Sequence, residues 1–218
     1  MTIKTNMNHQ AFTLAEVLIT IVVIGIVAAM TLPTVIQKHR KQVVETSLAR
    51  FYTNIQQAVR LAEAEYGDKL YWDEMGNSCT FKDENAENLE CEEGSETALQ
   101  WYNKYLAKYL KSTNVEAAIG SNKHTAVYVY FIDGTAMVLC SDGTNFYLNP
   151  KYINDKDRTQ EFGTVAFPFS FDKTKGFVPY NYNGTYKQTC KQGSNGNGCT
   201  MVIAENGWKI PDNYPFRF

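Results

Sequence analysis

AFTLAEVLITIVVIGIVAAMTLP, residues 11–33, is an apolar segment long enough to cross a membrane. From Phe12 to Leu32, 21 residues contain a single charge, Glu16. As a helix they would span roughly 30 Å, the thickness of the hydrocarbon core of a bilayer. A carboxylate at bilayer depth costs several kcal/mol unless it is paired or reaches the interface. The segment therefore predicts a membrane anchor whose one charge needs a partner.

Two interpretations compete for this segment: a secretory signal peptide that is removed, and an anchor that stays attached. A signal peptide has a shorter apolar core, which is followed by a small-x-small cleavage site. AAMTLPT, residues 28–34, could be forced into that role, but the apolar run before it is too long. A helical pattern also continues beyond Pro33. We therefore predict an anchor that stays attached.

The composition of the chain limits its class. The 218 residues carry a formal charge of −2, so nothing in the overall charge indicates a binder of nucleic acids. Outside the anchor the chain is polar, with much Asn, Gly and Thr, and the whole chain contains 14 Tyr and 12 Phe. The length allows one anchor and one domain with a real core. This composition is typical of a loop-rich, exported domain that contains β-strands.

A polar leader, MTIKTNMNHQ, is followed by Ala11, and the apolar run then begins abruptly with FTLAE. In this the chain resembles the type IV pilins and the type II secretion pseudopilins. The resemblance implies that a prepilin peptidase/methyltransferase on the cytoplasmic side cuts between Ala11 and Phe12 and then N-methylates Phe12. It also implies a role for Glu16 in assembly. The chain departs from the family in two places: Ala11 stands where Gly is usual, and the leader has one basic side chain, Lys4.

The resemblance is close over residues 11–60 and covers the rest of the chain in outline. Gly25 and Pro33 occupy positions at which the helix of this family loosens. The partners it implies are other pilin or pseudopilin subunits and an inner-membrane assembly platform. The location it implies is the bacterial inner membrane, crossed once, with the N terminus in the cytoplasm and the head outside. After assembly the subunit would lie in a filament that can reach the cell surface.

Glu16 has two interpretations. If the chain is cut before Phe12, a new amine appears near the membrane face, and Glu16 can pair with that amine on a neighbouring subunit. The cost of burying the carboxylate would then be relieved only on assembly. Alternatively, Glu16 lies near enough to the helix end for its side chain to snorkel to the headgroups. The surrounding AFTLAE favours the pairing.

A basic cluster after the anchor argues for the opposite topology. Residues 38–41 outweigh Lys4 and the α-amino group, and the positive-inside rule would place the following domain in the cytoplasm. That rule holds for short loops, whereas a large domain can translocate regardless of its charge. We therefore predict the family topology, with the cluster outside: Lys38, His39, Arg40 and Lys41.

The helical pattern continues through residues 34–67 as an amphipathic helix. Pro33 removes one backbone hydrogen bond and clashes with the carbonyl of Ala29, so we expect a bend there. Gly67 is a good stop signal. The apolar stripe recurs mostly at steps of three and four residues, and we expect it to pack on a globular head: Ile36, Val43, Val44, Leu48, Phe51, Ile55, Val59 and Ala62.

The remaining residues, 68–218, form the predicted head. Residues 68–94 are acidic and loop-like, and they lack the spacing of a calcium-binding loop, so a solvated acidic face is favoured. Ser95 is predicted to cap a second helix with one face formed by Leu99, Tyr102, Leu106, Tyr109 and Leu110.

Strands are predicted in the second half of the head. TAVYVYFIDGTAMVLCS, residues 125–141, has two β-prone runs around Asp133-Gly134, a preferred turn pair, and predicts a hairpin. Further strands are predicted at GTVAFPFSF and CTMVIAE. The fold class is therefore α+β, a long N-terminal helix on a small antiparallel sheet.

Five cysteines favour an oxidising compartment, because local pairs in a polar chain favour disulfides. Zinc sites need C-x₂₋₄-C spacings, which do not occur here. We predict two disulfides, Cys79–Cys91 and Cys190–Cys199, with Cys140 as a buried free thiol. The other possibility is that Cys140 bonds a loop to the sheet and leaves another cysteine unpaired, because proximity in sequence does not fix connectivity.

Catalytic and metal-binding patterns are absent from the sequence. The three His residues have no ligand spacing, and neither G-x-S-x-G nor H-E-x-x-H occurs. GSNGNG, residues 193–198, lacks the GK[ST] ending of a phosphate-binding loop and is interpreted as a loop tip. We therefore predict no enzyme, no metal and no cofactor.

The predicted function is that of a structural subunit of a type IV pilus-like filament or a type II secretion pseudopilus. The large head favours a minor or specialised subunit. The alternative is an uncleaved single-pass protein whose outer domain binds a ligand. The predicted organisation is a leader (1–11), a transmembrane assembly helix (12–33), an amphipathic helix (34–67) and a head (68–218).

Overall fold

The structure is a computed structural model that describes residues 13–75, 79–81, 89–91, 95–119, 124–141, 143–153, 162–181 and 184–218. The chain divides into two compact units, residues 1–41 and 42–218. The fold is α+β, with a long N-terminal helix and a six-stranded antiparallel sheet, and this confirms the predicted class.

The N-terminal helix, α1, runs from Leu14 to Tyr66 and passes through both Gly25 and Pro33. It ends at the predicted stop. Gly67 has a φ of 84°, a left-handed conformation that favours glycine, and its N–H donates to the carbonyl oxygen of Glu63 at 3.0 Å. The bend at Pro33 stays a prediction.

Within the second unit, α1 buries one stripe of side chains in the core. The stripe begins at Val44, so its predicted extension to Ile36 and Val43 is wrong, because these side chains are 47% and 45% exposed. Val43 lies about 100° around the helix from Val44, and Ile36 belongs to the first unit. The predicted members that are buried are Val44, Leu48, Phe51, Ile55, Val59 and Ala62.

The acidic segment 68–94 contains more regular structure than a loop. It begins with one turn of 3-10 helix, Lys69–Tyr71. Three of four short strands lie in it, and these form two small sheets, β1 with β4 and β2 with β3. The strands are β1 (Glu74–Met75), β2 (Cys79–Phe81), β3 (Leu89–Cys91) and β4 (Ser95–Glu96).

A six-stranded meander lies at the centre of the second unit. Each strand pairs antiparallel with the next one along the chain. Phe51 of α1 stacks on Phe146 of the sheet with ring centroids 4.4 Å apart and packs edge-on against Phe169 at 5.2 Å. The strands are β5 (Ser112–Ile119), β6 (Thr125–Phe131), β7 (Ala136–Cys140), β8 (Gly143–Tyr147), β9 (Ala166–Asp172) and β10 (Gly176–Pro179).

The predicted hairpin is present as β6 and β7. Phe131 and Thr135 close a three-residue loop, with the N–H of Phe131 donating to the carbonyl of Thr135 at 2.9 Å. Gly134 adopts a φ of 81°, which a three-residue hairpin loop requires at this position. The strand predicted at GTVAFPFSF is also confirmed, as β9.

The second helix, α2, is shorter than predicted and has a different cap. It runs from Ala98 to Tyr105, and its N-cap is Thr97, which forms a capping box with Gln100. Ser95 lies in β4, so its predicted role as the cap is wrong. Thr97 is the cap in place of Ser95 because the side chain of Gln100, three residues later, accepts a hydrogen bond from the N–H of Thr97, as a capping box requires. The predicted face is buried at Tyr102, Leu106 and Leu110 and partly buried at Leu99 and Tyr109. Of these residues, Leu106, Tyr109 and Leu110 lie beyond the end of α2.

An aromatic cluster joins α2 to the end of α1. Trp72 stacks on Tyr105 with ring centroids 4.3 Å apart and packs against Trp101 at 5.9 Å. Trp101 Nε1 donates to the carbonyl oxygen of Asp73 at 3.1 Å. Hydrogen bonds from Lys104 and Tyr105 hold the pKa of the Asp73 carboxyl below its ordinary value. Part of the acidic segment is therefore tied to the head by specific bonds.

The strand predicted at CTMVIAE is wrong, because these residues form helix α4 (Cys199–Glu205) after a single helical turn, α3 (Tyr186–Thr189). Cys199, Thr200 and Ile203 are buried, and their spacing matches one face of a helix and not the alternation of a strand. The preference of Thr, Val and Ile for strands is weak and depends on packing. In this segment, the packing of the buried helix face determines the structure and overrides the strand preference of these residues.

The C-terminal segment is clamped onto α1 by a buried carboxylate. Glu45 accepts a hydrogen bond from the backbone N–H of Ile210 at 2.9 Å and one from Lys209 Nζ at 3.0 Å. Trp208, at a φ of 63°, packs its indole against the ring of Tyr52 in a tilted arrangement, with ring centroids 4.8 Å apart. A non-glycine residue at this φ is strained. The aromatic contact and the Glu45 bonds therefore hold the strained segment in place.

Candidate assembly and processing site

The first turn of α1 holds the side chain of Glu16. The N–H and the hydroxyl of Thr13 both donate to Glu16 Oε2 at 2.8 Å, and the N–H of Glu16 faces the Thr13 hydroxyl oxygen at 3.3 Å. This is a reciprocal capping box, which satisfies donors that a helix start leaves open. The T-x-x-E spacing in FTLAE is that of a capping box, so the sequence itself indicates a local partner for Glu16 beside the one that assembly would supply.

The two residues of the predicted cleavage site, Ala11 and Phe12, lie outside the described residues. The distance from Glu16 to the amine that cleavage would create is therefore not defined in the structure. Thr13 would be the second residue of the cut chain, and its amide N–H and hydroxyl would remain. The capping box is thus compatible with cleavage before Phe12.

The described part of the first unit, residues 13–41, is helical from Leu14 and exposes most of its apolar side chains. Between Thr13 and Gln37 the only charged side chain is Glu16. Large apolar side chains such as Leu14, Ile24 and Met30 are between 66% and 79% exposed. By length and composition, α1 is a helix that could span a membrane. An apolar surface of this extent on one helix needs lipid or other apolar helices around it.

The five cysteines differ in what the structure shows of their bonding. Cys190 and Cys199 form a disulfide that joins the end of α3 to the start of α4, with Cα atoms 4.8 Å apart. Cys79 and Cys91 are paired across β2 and β3 by backbone register, but their side chains are outside the described part. The thiol of Cys140 donates to the carbonyl oxygen of Gly143 at 3.1 Å. Its predicted burial is wrong, because Cys140 is the last residue of β7 and is partly exposed.

We predict that non-reducing peptide mapping of the full chain recovers one disulfide peptide with Cys79 and Cys91 and a second with Cys190 and Cys199. The strand register places the first pair opposite each other. Closing loops of this length removes about 2.5 to 3 kcal/mol of unfolded-chain entropy each. A recovered disulfide peptide that contains Cys140 would contradict this connectivity.

The lining of one groove in the described part of the second unit bears on the chemistry that it could support. One groove of about 430 Å³ lies between α1 and the β6–β7 hairpin, with Phe51, Leu61 and Ile132 in its lining. Its single carboxylate, Asp133, forms a partly exposed ion pair with Arg50 at 3.5 Å. An ion pair of this exposure contributes little to the stability of the fold. The side chains that line the groove include neither a pair of carboxylates nor a nucleophile beside a base. Among the described residues, no three His, Cys, Asp or Glu side chains could together hold a metal ion.

Comparison with protein families gives two matches that together cover most of the chain. The family of unknown function DUF6613 matches residues 34–218. The prokaryotic N-terminal methylation motif matches residues 6–32, which include residues 6–11 of the predicted leader, the capping box and most of the apolar span. Neither the curated proteins nor the solved structures compared with the chain gave a match.

The methylation motif is the prepilin signature of the type IV pilins and pseudopilins, so the resemblance noted from FTLAE is confirmed. The motif implies processing by a prepilin peptidase and assembly with other pilin subunits, and the apolar helix suits membrane anchoring. The chain belongs to the DUF6613 family and carries at its N terminus the prepilin signature of type IV pilins and pseudopilins.

Proposed function

We propose that this chain is a minor or specialised structural subunit of a type IV pilus-like filament or a type II secretion pseudopilus. The observation that carries the proposal is the combination at the N terminus. A methylation motif lies on a helix whose apolar side chains are exposed over residues 14–36. The large head, most of which matches a family of its own, supports a specialised subunit, because a simple filament needs no elaborate head.

The subunit is first held in the inner membrane by α1 with its N terminus in the cytoplasm. The prepilin peptidase cuts between Ala11 and Phe12, and Phe12 is methylated. The Cys190–Cys199 disulfide supports a head outside the cytoplasm, because disulfides persist mainly in oxidising compartments.

Assembly then packs the apolar helices of several subunits together at the inner-membrane platform. Glu16 pairs with the amine of Phe12 on a neighbouring subunit, which relieves the cost of a buried charge and fixes the register. Gly25 and Pro33 give the helix local freedom: glycine lowers helix stability, and proline removes one backbone hydrogen bond. The proposal therefore assigns the anchor a second role as the assembly surface.

The cut is tested by changing the residue before it. In cells with an active prepilin peptidase, we expect Ala11→Gly to be processed at least as fast as the natural chain. Ala11→Val should be processed at least about tenfold more slowly, because a β-branched side chain does not fit a site for a small residue. Phe12→Leu is the control and should be cut at nearly the natural rate.

The readout is the fraction of chain that lacks the leader, followed over time by immunoblotting after synthesis is stopped. Equal rates for the Gly and Val variants would show that the cut does not follow Ala11.

A further inference from the structure

The proposed function leaves one charged feature without a role, the cluster KHRK directly after the apolar span. We call residues 38–41 the cationic band. The side chains of Lys38, His39 and Arg40 are exposed, and that of Lys41 is partly exposed. The band lies on α1, within the first unit. Its charge contrasts with the −2 of the whole chain.

The position of the band along α1 matches the surface of a bilayer. A helix rises about 1.5 Å per residue, so the step from Leu14 to Lys38 is about 36 Å and that to Lys41 is about 40 Å. The hydrocarbon core is about 30 Å thick, and the headgroup layers extend it to about 40–45 Å. When the apolar residues fill the core, the band therefore lies at the level of the lipid phosphates, whichever side of the membrane it faces.

The helix provides no counter-charge beside the centre of the band. No Asp or Glu occurs within four residues of Lys38 or of Arg40. The first carboxylate that follows, Glu45, is buried and accepts hydrogen bonds from Ile210 and Lys209. For Lys38 and Arg40, the phosphates of the membrane surface are anions that this position would bring within reach.

We infer that the cationic band binds anionic phospholipid headgroups, of the phosphatidylglycerol or cardiolipin class, at the membrane surface on the side of the head. Each cation near such a surface contributes about fivefold in affinity. The band fixes the depth of the anchor and holds the unassembled subunit in the membrane, and its contacts must break when the subunit moves into a filament. The inference rests on the proposed membrane anchoring and not on cleavage or assembly.

The test uses the full chain, uncut, in vesicles of phosphatidylcholine with a trace of spin-labelled lipid. Electron paramagnetic resonance measures how strongly labelled phosphatidylglycerol is preferred over labelled phosphatidylcholine next to the protein. We expect a preference of about fivefold or more at low salt, which falls as salt screens the charges. In K38Q/R40Q/K41Q the preference should be lost, so that the two lipids associate about equally with the protein.

The matched control removes two lysines and one arginine from exposed positions of the head, as K175Q/K191Q/R217Q. It changes the net charge by the same amount and should keep the lipid preference. The inference is overturned if K38Q/R40Q/K41Q keeps the natural preference, or if the control loses as much. A band variant that keeps the preference but fails to enter filaments would show instead that these cations contact a neighbouring subunit. Because the chain is uncut and unassembled, a failure of the proposed filament role leaves this measurement unaffected.

Discussion

Glu16→Ala is expected to leave membrane insertion and removal of the leader intact and to reduce incorporation into filaments by at least about 30-fold. The reason is electrostatic. Removing one partner of a desolvated charge pair costs about 2 kcal/mol or more, because the other charge is left buried without a partner. Insertion and cleavage do not use this pair, so they should proceed. The measurement is the ratio of mutant to natural subunits in sheared filaments from cells that express both.

The capping box gives Glu16 a second role within its own chain, and a conservative variant separates the two. Glu16→Gln keeps an acceptor for the Thr13 N–H and hydroxyl, since Gln also serves in a capping box. It removes the charge that would pair with the amine of Phe12. We therefore expect Glu16→Gln to be nearly as defective as Glu16→Ala. Normal incorporation of Glu16→Gln would show that capping is the whole role of this residue.

Thr13 supplies the matched control. Thr13→Ser keeps the hydroxyl and should assemble normally, whereas Thr13→Val removes it and loses part of the cap. Loss of an N-cap hydroxyl costs roughly 1 kcal/mol, so the assembly defect of Thr13→Val should be several times smaller than that of Glu16→Ala. If Glu16→Ala itself enters filaments normally, its carboxylate reaches the headgroups and carries no pairing role.

Gly198→Ala is expected to destabilise the head by about 3 kcal/mol or more, which corresponds to a melting temperature lower by roughly 10 °C. The backbone of Gly198, with a φ of −80°, suits any residue, so the effect is steric. A Cβ at this position would lie 2.1 Å from the carbonyl oxygen of Tyr186 and 2.5 Å from Oγ1 of Thr189. The Tyr186 carbonyl belongs to the main chain of α3, so it cannot move without α3.

The control for this variant lies in the same loop. Gly193 has a φ of 79°, and a Cβ there would meet nothing within 4 Å, so Gly193→Ala pays only backbone strain of about 1–2 kcal/mol. Removing the Thr189 hydroxyl should not rescue Gly198→Ala, because the clash with the carbonyl remains. Thermal unfolding of the full chain in detergent, followed by near-ultraviolet circular dichroism, measures all of these variants. A Gly198→Ala melting temperature within about 2 °C of the natural chain would contradict the tight packing of α3 on α4.

Features that depend on neighbours in sequence could be predicted well. The apolar span, the stop at Gly67 and the hairpin around Asp133-Gly134 follow from local rules on hydrophobic length and turn geometry. The FTLAE motif identified the family for the same reason, because the whole signal lies in a few adjacent residues. The capping box of Thr13 and Glu16 was equally local and could have been found from its spacing alone.

Features that depend on distant contacts could not be predicted. CTMVIAE has β-branched residues but folds as α4, since its buried face packs against β9 and β10, which lie elsewhere in the sequence. Glu45 lies beside the apolar stripe, and its partners Lys209 and Ile210 are 164 and 165 residues away. A hydrogen-bond partner at this distance along the chain cannot be predicted from the residues around Glu45.

The central claim is that the chain is a processed pilin-like subunit, and the intact mass of the protein tests it most directly. The protein is extracted from the membranes of cells with an active prepilin peptidase and weighed by mass spectrometry. The account predicts a single species that lacks residues 1–11 and carries one added methyl group, which fragmentation places on the amine of Phe12. A full-length chain that begins at Met1 would contradict the account and favour an uncleaved single-pass protein whose outer domain binds a ligand.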